Sequence, residues 1–258
     1  MLSIIDFIKD KNNTVLIKSS IIALLVISLV VLIVIAIKKE RKLTNNERIK
    51  RISAISILSA LSFVLYMVKF NLPFIFPSFL EIQFSNVPVL IGGFLYGPIA
   101  GVIIVIVRMV LKMPFTSTAG VGEFADLVIG ISIVLVASLI YHHNKTKKSA
   151  VKALVFSSLT WVIVGIISNW LFLIPFYIEF YFGGSVDALV GMLSVIPGVT
   201  VQNYMWKYLL FATIPFNLVL SVAANAVTFL VYKRVSFLAH SHDDEEVNDV
   251  KELSANHK

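Results

Sequence analysis

Runs of about twenty apolar residues recur along this chain, and most end in a cluster of lysine and arginine. The first run is VLIKSSIIALLVISLVVLIVIAI, residues 15–37, and KKERKLTNNERIKR, residues 38–51, follows it with seven basic residues and two glutamates. Twenty residues of helix rise about 30 Å, the thickness of a bilayer's hydrocarbon core. Within hydrocarbon each backbone polar group needs a partner from the same segment, so runs of this length must be helical. A membrane β-barrel would instead alternate apolar and polar residues over about ten positions. The chain is therefore expected to be an all-α polytopic membrane protein. With 58% hydrophobic and 14% charged residues among 258, it departs from the roughly 25% charge of soluble domains. The net charge of +7 sits between apolar blocks, where basic residues set topology; it does not point to nucleic acid. Cysteine is absent, which removes disulfide and thiolate-metal chemistry.

Charge and parity order the spans. No small-residue cleavage site follows residue 37, so residues 1–38 are expected to be a retained N-terminal transmembrane helix, with 39–51 a basic cytoplasmic linker. The N-terminus is then outside. A second span runs from Ile52 to Val68, and KFNLPFIFPSFLEIQFSNVP reads as an outer loop. Residues 87–113 pose a choice between one long helix and two short ones broken at Gly97-Pro98. The block 127–141 leads into HHNKTKKSAVK, whose four lysines belong inside with the first cluster. Only the broken reading delivers them there. Residues 150–173 then run outward, 174–206 form a long outer loop, and 207–232 return to Lys233-Arg234. Seven helices result: six in a core spanning 52–234, plus the extra N-terminal one. Residues 235–258 read as an acidic, disordered cytoplasmic tail; the HSH pair in it fits solvated tail better than metal.

Polar side chains at membrane depth usually face a cavity or the bundle interior. Asn169, in SNWLFLIPFYIEF, and Asn217, in IPFNLVLSVAANAV, each have a nearby proline that loosens the local ladder. A carboxamide both donates and accepts, which suits an uncharged heterocycle carrying ring nitrogens and carbonyls. Arg108 and Lys112 share a helix face at i, i+4, either toward a site or snorkelling to the interface. Glu123 and Asp126 share one at i, i+3, either in a site or favoured by a helix N-terminus. Phe115, Trp161, Trp170, Phe172, Phe176, Tyr177, Trp206 and Phe216 surround these positions, as site walls or as an interfacial belt. Asn225 reads as a helix–helix hydrogen bond.

No phosphate loop, H-E-x-x-H or G-x-S-x-G elbow occurs, and the five histidines lie at 142, 143 and in the tail. A clear two-fold internal repeat of the kind found in many secondary carriers is also missing. The chain reads as a non-enzyme that binds a small molecule and needs an external engine.

The run ISILSALSFVLYMVKFNLPFIFPSFLEIQFSNVPVLIGGFLYGPIAGVIIVIVRMVLK resembles the first three helices of the substrate-binding S components of energy-coupling factor (ECF) vitamin transporters. Within that family it is most similar to the riboflavin branch. GEFADLVIG, NWLFLIPFY and IPFN follow in the family's order, and the likeness covers about Arg51 to Arg234. The resemblance implies a six-helix core with a riboflavin site near the outer face, contacted by Asn169 and Asn217, with Glu123, Lys112, Trp170, Tyr177 and Phe84 completing the candidate set. It implies docking onto a transmembrane T protein and two cytoplasmic ATPases, which alone use ATP. Small residues spaced by four on the first core helix, here Ser56 and Ala60, would serve that docking or ordinary packing. No cofactor is implied beyond riboflavin as transported ligand. Leu220 stands where riboflavin binders commonly carry lysine, and Gln83 and Asn86 stand where acidic residues are usual. The segment 179–208 looks longer than the family norm. The expected function is capture of riboflavin or a related flavin outside a bacterial cell for ATP-driven uptake, with residues 70–86 as lid. An S component for another vitamin, a membrane sensor or scaffold, and a stand-alone carrier are the alternatives.

Overall fold

The computed structural model describes residues 11–232, with side chains described from Thr14. Helix α1 spans Lys11–Lys38, and α2 spans Asn45–Met67. A two-stranded antiparallel hairpin follows, β1 (Phe70–Asn71) pairing with β2 (Glu81–Ile82). Helices α3 (Asn86–Tyr96), α4 (Pro98–Lys112) and α5 (Val121–His143) come next. Then α6 runs over Lys147–Tyr181, α7 is the short helix Val186–Met192, and α8 runs over Tyr204–Tyr232. Six of these are long and apolar enough to cross a membrane, and α3, about 16 Å long by its eleven residues, is the short seventh.

The expected break in residues 87–113 is present. Gly97 takes φ +95°, a conformation that L side chains rarely adopt, and Pro98 begins α4 with its ring at the first helical turn, where no N–H is needed. Side-chain pairings at the two ends fix how the helices alternate. At the basic end, Tyr141 of α5 and Tyr232 of α8 share a 2.7 Å hydrogen bond, and Phe94 of α3 stacks on Tyr141. At the opposite end, Tyr66 of α2 donates to Asp126 of α5, and Arg108 and Lys112 of α4 lie over the Tyr66 ring at 5.3 and 5.4 Å.

Two boundaries differ from expectation. The helix expected from Ile52 begins at Asn45, because Thr44 and Glu47 form a reciprocal capping box inside the basic linker. The helix whose apolar block spans 127–141 begins at Val121, with Glu123 and Asp126 at its start as their i, i+3 spacing required. The second difference is larger. Residues 174–181, expected in a loop, stay helical, because π turns at Asn169–Leu173 and Tyr177–Tyr181 flank Pro175. In a regular helix the proline ring would collide with the carbonyl four residues back. A π turn shifts that carbonyl out of register and the helix continues. Pro215 in α8 is accommodated in the same way, by a π turn at Leu209–Thr213. The outer loop thus shrinks, and it contains α7. Lys233, Arg234, the acidic tail and its HSH pair lie outside the described residues.

Two buried clusters form the interior. The larger joins the hairpin loop, α3, α5, α6 and α8; the smaller forms where α1 meets α3, α4 and α5 around Ala36, Val89, Val105 and Val134. Asn225 of α8 donates to the Leu154 carbonyl at 2.9 Å and to Ser158 Oγ at 2.7 Å on α6, the expected interhelical clasp.

Candidate functional site

The two π-turn segments bring Asn169 and Asn217 to neighbouring positions beside one cavity of about 120 Å³. Both side chains are buried, and they are held alike. Asn169 Nδ2 donates to the Gly165 carbonyl at 2.9 Å, and Asn217 Nδ2 to the Thr213 carbonyl at 2.8 Å, each four residues back. Tyr208, fully buried on α8, donates to Asn169 Oδ1 at 2.5 Å. A carboxamide has two N–H groups and two acceptor lone pairs, so each asparagine keeps donor and acceptor capacity beyond these bonds. Gly165 joins the pair a second time. A Cβ built there would lie 2.8, 2.9 and 3.0 Å from Oδ1, Cγ and Nδ2 of Asn217. The absent side chain on α6 is the space that the Asn217 carboxamide occupies.

The wall around these amides is aromatic and apolar: Trp161, Tyr177 and Leu173 from α6, with Phe216 and Leu220 from α8. The hairpin loop closes it. Phe76 and Leu80 are buried, Phe76 packs edge-on against Phe216 at 5.3 Å, and Phe79 packs on Tyr177 and Tyr208 at 5.5 and 5.7 Å. Lys69 grips both carboxylate oxygens of Glu81 at 2.8 Å across the hairpin.

The remaining side is charged. Lys112 and Glu123 line the cavity, both buried. Lys112 Nζ donates to the Phe115 carbonyl at 3.0 Å, and Glu123 Oε2 accepts from Thr116 and Thr118 hydroxyls, each at 2.8 Å. Glu123 also lies in the first turn of α5, where the helix N-terminus favours a carboxylate. Lys112 and Arg108 do not snorkel, being 3% and 1% exposed, and the N-cap of α5 is Gly120. Arg108 does not line the cavity. Its Nη1 donates to Ser85 Oγ at 2.5 Å and Asn86 Oδ1 at 2.9 Å, pinning the start of α3.

Of the candidate residues, the fold brings together Asn169, Asn217, Glu123, Lys112 and Tyr177. It separates two others. Trp170 turns to α1, where Lys18 Nζ lies 5.6 Å from its ring centroid, and Phe84 packs partly buried against the core; neither lines the cavity. One residue around the π turn from Asn169 is enough to face the other way. Phe115 and Trp206 are exposed, as belt residues are. Sequence reasoning missed Tyr66, Phe79 and the threonine pair at 116 and 118. Their signal was weak, since a single tyrosine or phenylalanine in a membrane chain marks no site. Tyr208 was likewise invisible, although its hydroxyl is what an amide acceptor at this depth requires. Ser56 and Ala60 lie together on an exposed face of α2.

Comparison with known proteins agrees with this architecture. The family model described as "ECF transporter, substrate-specific component" matches residues 50–232. The chain is 32% identical over 196 residues to "Riboflavin transporter RibU" of Staphylococcus aureus, covering 76% of this chain and 95% of that one. It is 25% identical over 188 residues to "Riboflavin transporter FmnP" of Bacillus subtilis, covering 72% and 91%. A solved structure reported as "Structure and mechanism of the S component of a bacterial ECF transporter" superposes with TM-score 0.57 at 32% identity, covering 74% of this chain and 98% of that one. Helix α1 falls before the matched range. With its six-helix core, amide-bearing cavity and match from residue 50 to 232, the chain belongs to the ECF transporter substrate-specific component family.

Proposed function

We propose that this chain captures riboflavin, or a flavin close to it, and that the cavity between the hairpin loop, α5, α6 and α8 is where it binds. The observation that carries the reading is the Asn169–Gly165–Asn217 arrangement: two carboxamides side by side in an aromatic pocket, each with hydrogen-bonding capacity left over. A flat heterocycle with carbonyls and ring nitrogens uses that capacity along one edge and stacks on Trp161, Tyr177 or Phe216 with its face. Glu123, Lys112 and the nearby threonines offer polar contacts to a hydroxylated side chain. The names of the relatives above support the same ligand.

The cavity of about 120 Å³ falls below the roughly 300 Å³ at which small-molecule pockets begin. The segment 70–86, whose Phe76, Phe79 and Leu80 cover the cavity, is the element we assign as the lid that withdraws to admit ligand. Release toward the basic face, taken as cytoplasmic by the positive-inside bias, then depends on partner subunits: a transmembrane T protein and two ATPases. The exposed Ser56 and Ala60 offer a close-approach face on α2 for that docking.

The test is direct. The full chain purified from flavin-replete cells is expected to carry a yellow chromophore, and added riboflavin is expected to quench the fluorescence of Trp161. The double substitution Asn169→Leu/Asn217→Leu is expected to abolish both. A colourless protein indifferent to riboflavin, or a double variant that binds like the parent, overturns the assignment.

A further inference from the structure

A second hollow, of about 900 Å³, opens at the basic end of the bundle, remote from the amide cavity. Its walls come from three helix ends: Lys39 just after α1, Leu139, Ile140 and His143 at the end of α5, and Lys147, Lys148 and Lys152 on the first turns of α6. Among the described residues no carboxylate lines it. The acidic side chains nearest in sequence are committed elsewhere, Glu40 to Arg51 and Glu47 to Arg41. Among the described residues no ion pair forms with Lys39, Lys147, Lys148 or Lys152.

The start of α6 sharpens this imbalance. A helix N-terminus presents unpaired N–H groups and the positive end of the macrodipole, so acidic residues are favoured in its first turn. Here the first turn has none and carries two lysines instead. Thr146 Oγ1 takes the N–H of Ser149, which leaves the amides of Lys147 and Lys148 without a protein acceptor among the described residues. Lys147, Lys148 and, one turn on, Lys152 thus line one hollow beside two free amides, without a counter-charge among the described residues.

Apolar side chains follow the lysines along α6. Four and eight residues on from Lys147 come Val151 and Val155, and four on from Lys152 comes Phe156, all exposed on α6. Residues at i, i+4 share a helix face, so the lysines at the start of α6 share their faces with exposed apolar tracks. A free inorganic anion has no use for those tracks, whereas a molecule with a phosphate head and acyl tails matches both parts.

We propose that this hollow binds the headgroup of an anionic phospholipid, with the phosphate on the Lys147 and Lys148 side chains and amides and the acyl chains along α6. Basic pockets between transmembrane helices are the usual seat for such headgroups, and each basic side chain near an anionic surface contributes about a fivefold gain in affinity. The site ties α1 to the family core through a lipid.

The experiment uses the full chain in mixed micelles, with thermal unfolding and native mass spectrometry as readouts, and phosphatidylglycerol titrated against phosphatidylcholine. Phosphatidylglycerol is expected to raise the unfolding temperature saturably and to remain bound in the spectrometer, and phosphatidylcholine to do neither. Lys147→Gln/Lys148→Gln is expected to raise the half-saturating concentration by roughly 25-fold. Lys39→Gln/Lys152→Gln, which leaves the helix start untouched, is expected to raise it similarly. Lys42→Gln/Arg48→Gln, off the hollow, is expected to stay within about twofold of the parent, since only long-range charge is lost. Equal effects of the two lipids, or half-saturation unchanged in both hollow variants, overturn the proposal. So does equal stabilisation by inorganic phosphate alone, which makes the hollow a simple anion site. Lipid binding that emerges only after residues 235–258 are deleted also overturns it, by assigning the hollow to the chain's own acidic tail.

Discussion

The replacement Gly165→Ala tests the site through a residue whose missing side chain leaves room for Asn217, while its backbone carbonyl bond to Asn169 is kept. The new methyl would lie 2.8 Å from Asn217 Oδ1, 2.9 Å from Cγ and 3.0 Å from Nδ2. Ordinary contact for such atoms begins near 3.4 Å, so the carboxamide must retreat by about 0.6 Å as a rigid group. Hydrogen bonds weaken steeply outside a narrow range of length and angle, and the Nδ2 bond to Thr213 resists the shift. The outcome expected is loss of the Asn217 bond to the flavin with the amide left desolvated, about 1–3 kcal/mol, or roughly a fivefold to 150-fold rise in Kd. Stability is expected to change less, because alanine gains about 1 kcal/mol of helix propensity over glycine against the local strain. Quenching of tryptophan fluorescence by titrated riboflavin gives Kd, and detergent-solubilised thermal unfolding gives stability. Gly191→Ala, whose Cβ meets nothing within 4 Å, is the matched control. A Gly165→Ala protein that binds riboflavin within twofold of the parent would refute the claim that Asn217 holds ligand from where it stands.

Three further outcomes follow from the same contacts. Tyr208→Phe removes the hydroxyl bonded to Asn169 Oδ1; flavin affinity measured by the same titration is expected to fall by about fivefold, the worth of one ordinary hydrogen bond, and unchanged affinity would mean that Asn169 needs no support. Arg108→Leu breaks two charge-assisted bonds to Ser85 and Asn86 at the start of α3; it is expected to lower stability by about 1.5–3 kcal/mol in thermal unfolding, and a variant as stable as the parent counts against a structural role. Glu81→Gln loosens the partly exposed hairpin ion pair with Lys69, so stability is expected to move by less than about 1 kcal/mol, while stopped-flow dissociation of flavin speeds up if segment 70–86 is the lid.

Length and charge made the spans legible, since bilayer thickness and basic clusters act on whole segments and tolerate errors of a few residues. The Gly97-Pro98 break was legible for a related reason: only a short helix pair satisfied the parity of the basic ends. Boundaries set by single contacts were not. The capping box that starts α2 at Asn45 lies within a charge cluster that reads equally well as linker. The π turns around Pro175 and Pro215 convert an apparent helix stop into continuous helix.

Those turns also explain why the site was half readable. A proline beside an asparagine is visible in sequence as a loosened ladder, and both amides do line the cavity. Which neighbours share it depends on an angular offset that a periodicity of 3.6 cannot supply, because one wide turn rotates everything after it. Trp170 and Leu173 show the consequence. Both lie inside the first π turn, yet Leu173 meets the cavity and Trp170 meets Lys18 of α1. The widened turns have an energetic role as well. The asparagine side chains add a bond to the carbonyls of Gly165 and Thr213, so the amides are positioned before any ligand arrives. A site prepared in this way spends little ordering free energy on binding. Insertion of one residue after Leu173 or Thr213 would be expected to scramble the pocket while leaving every span in place.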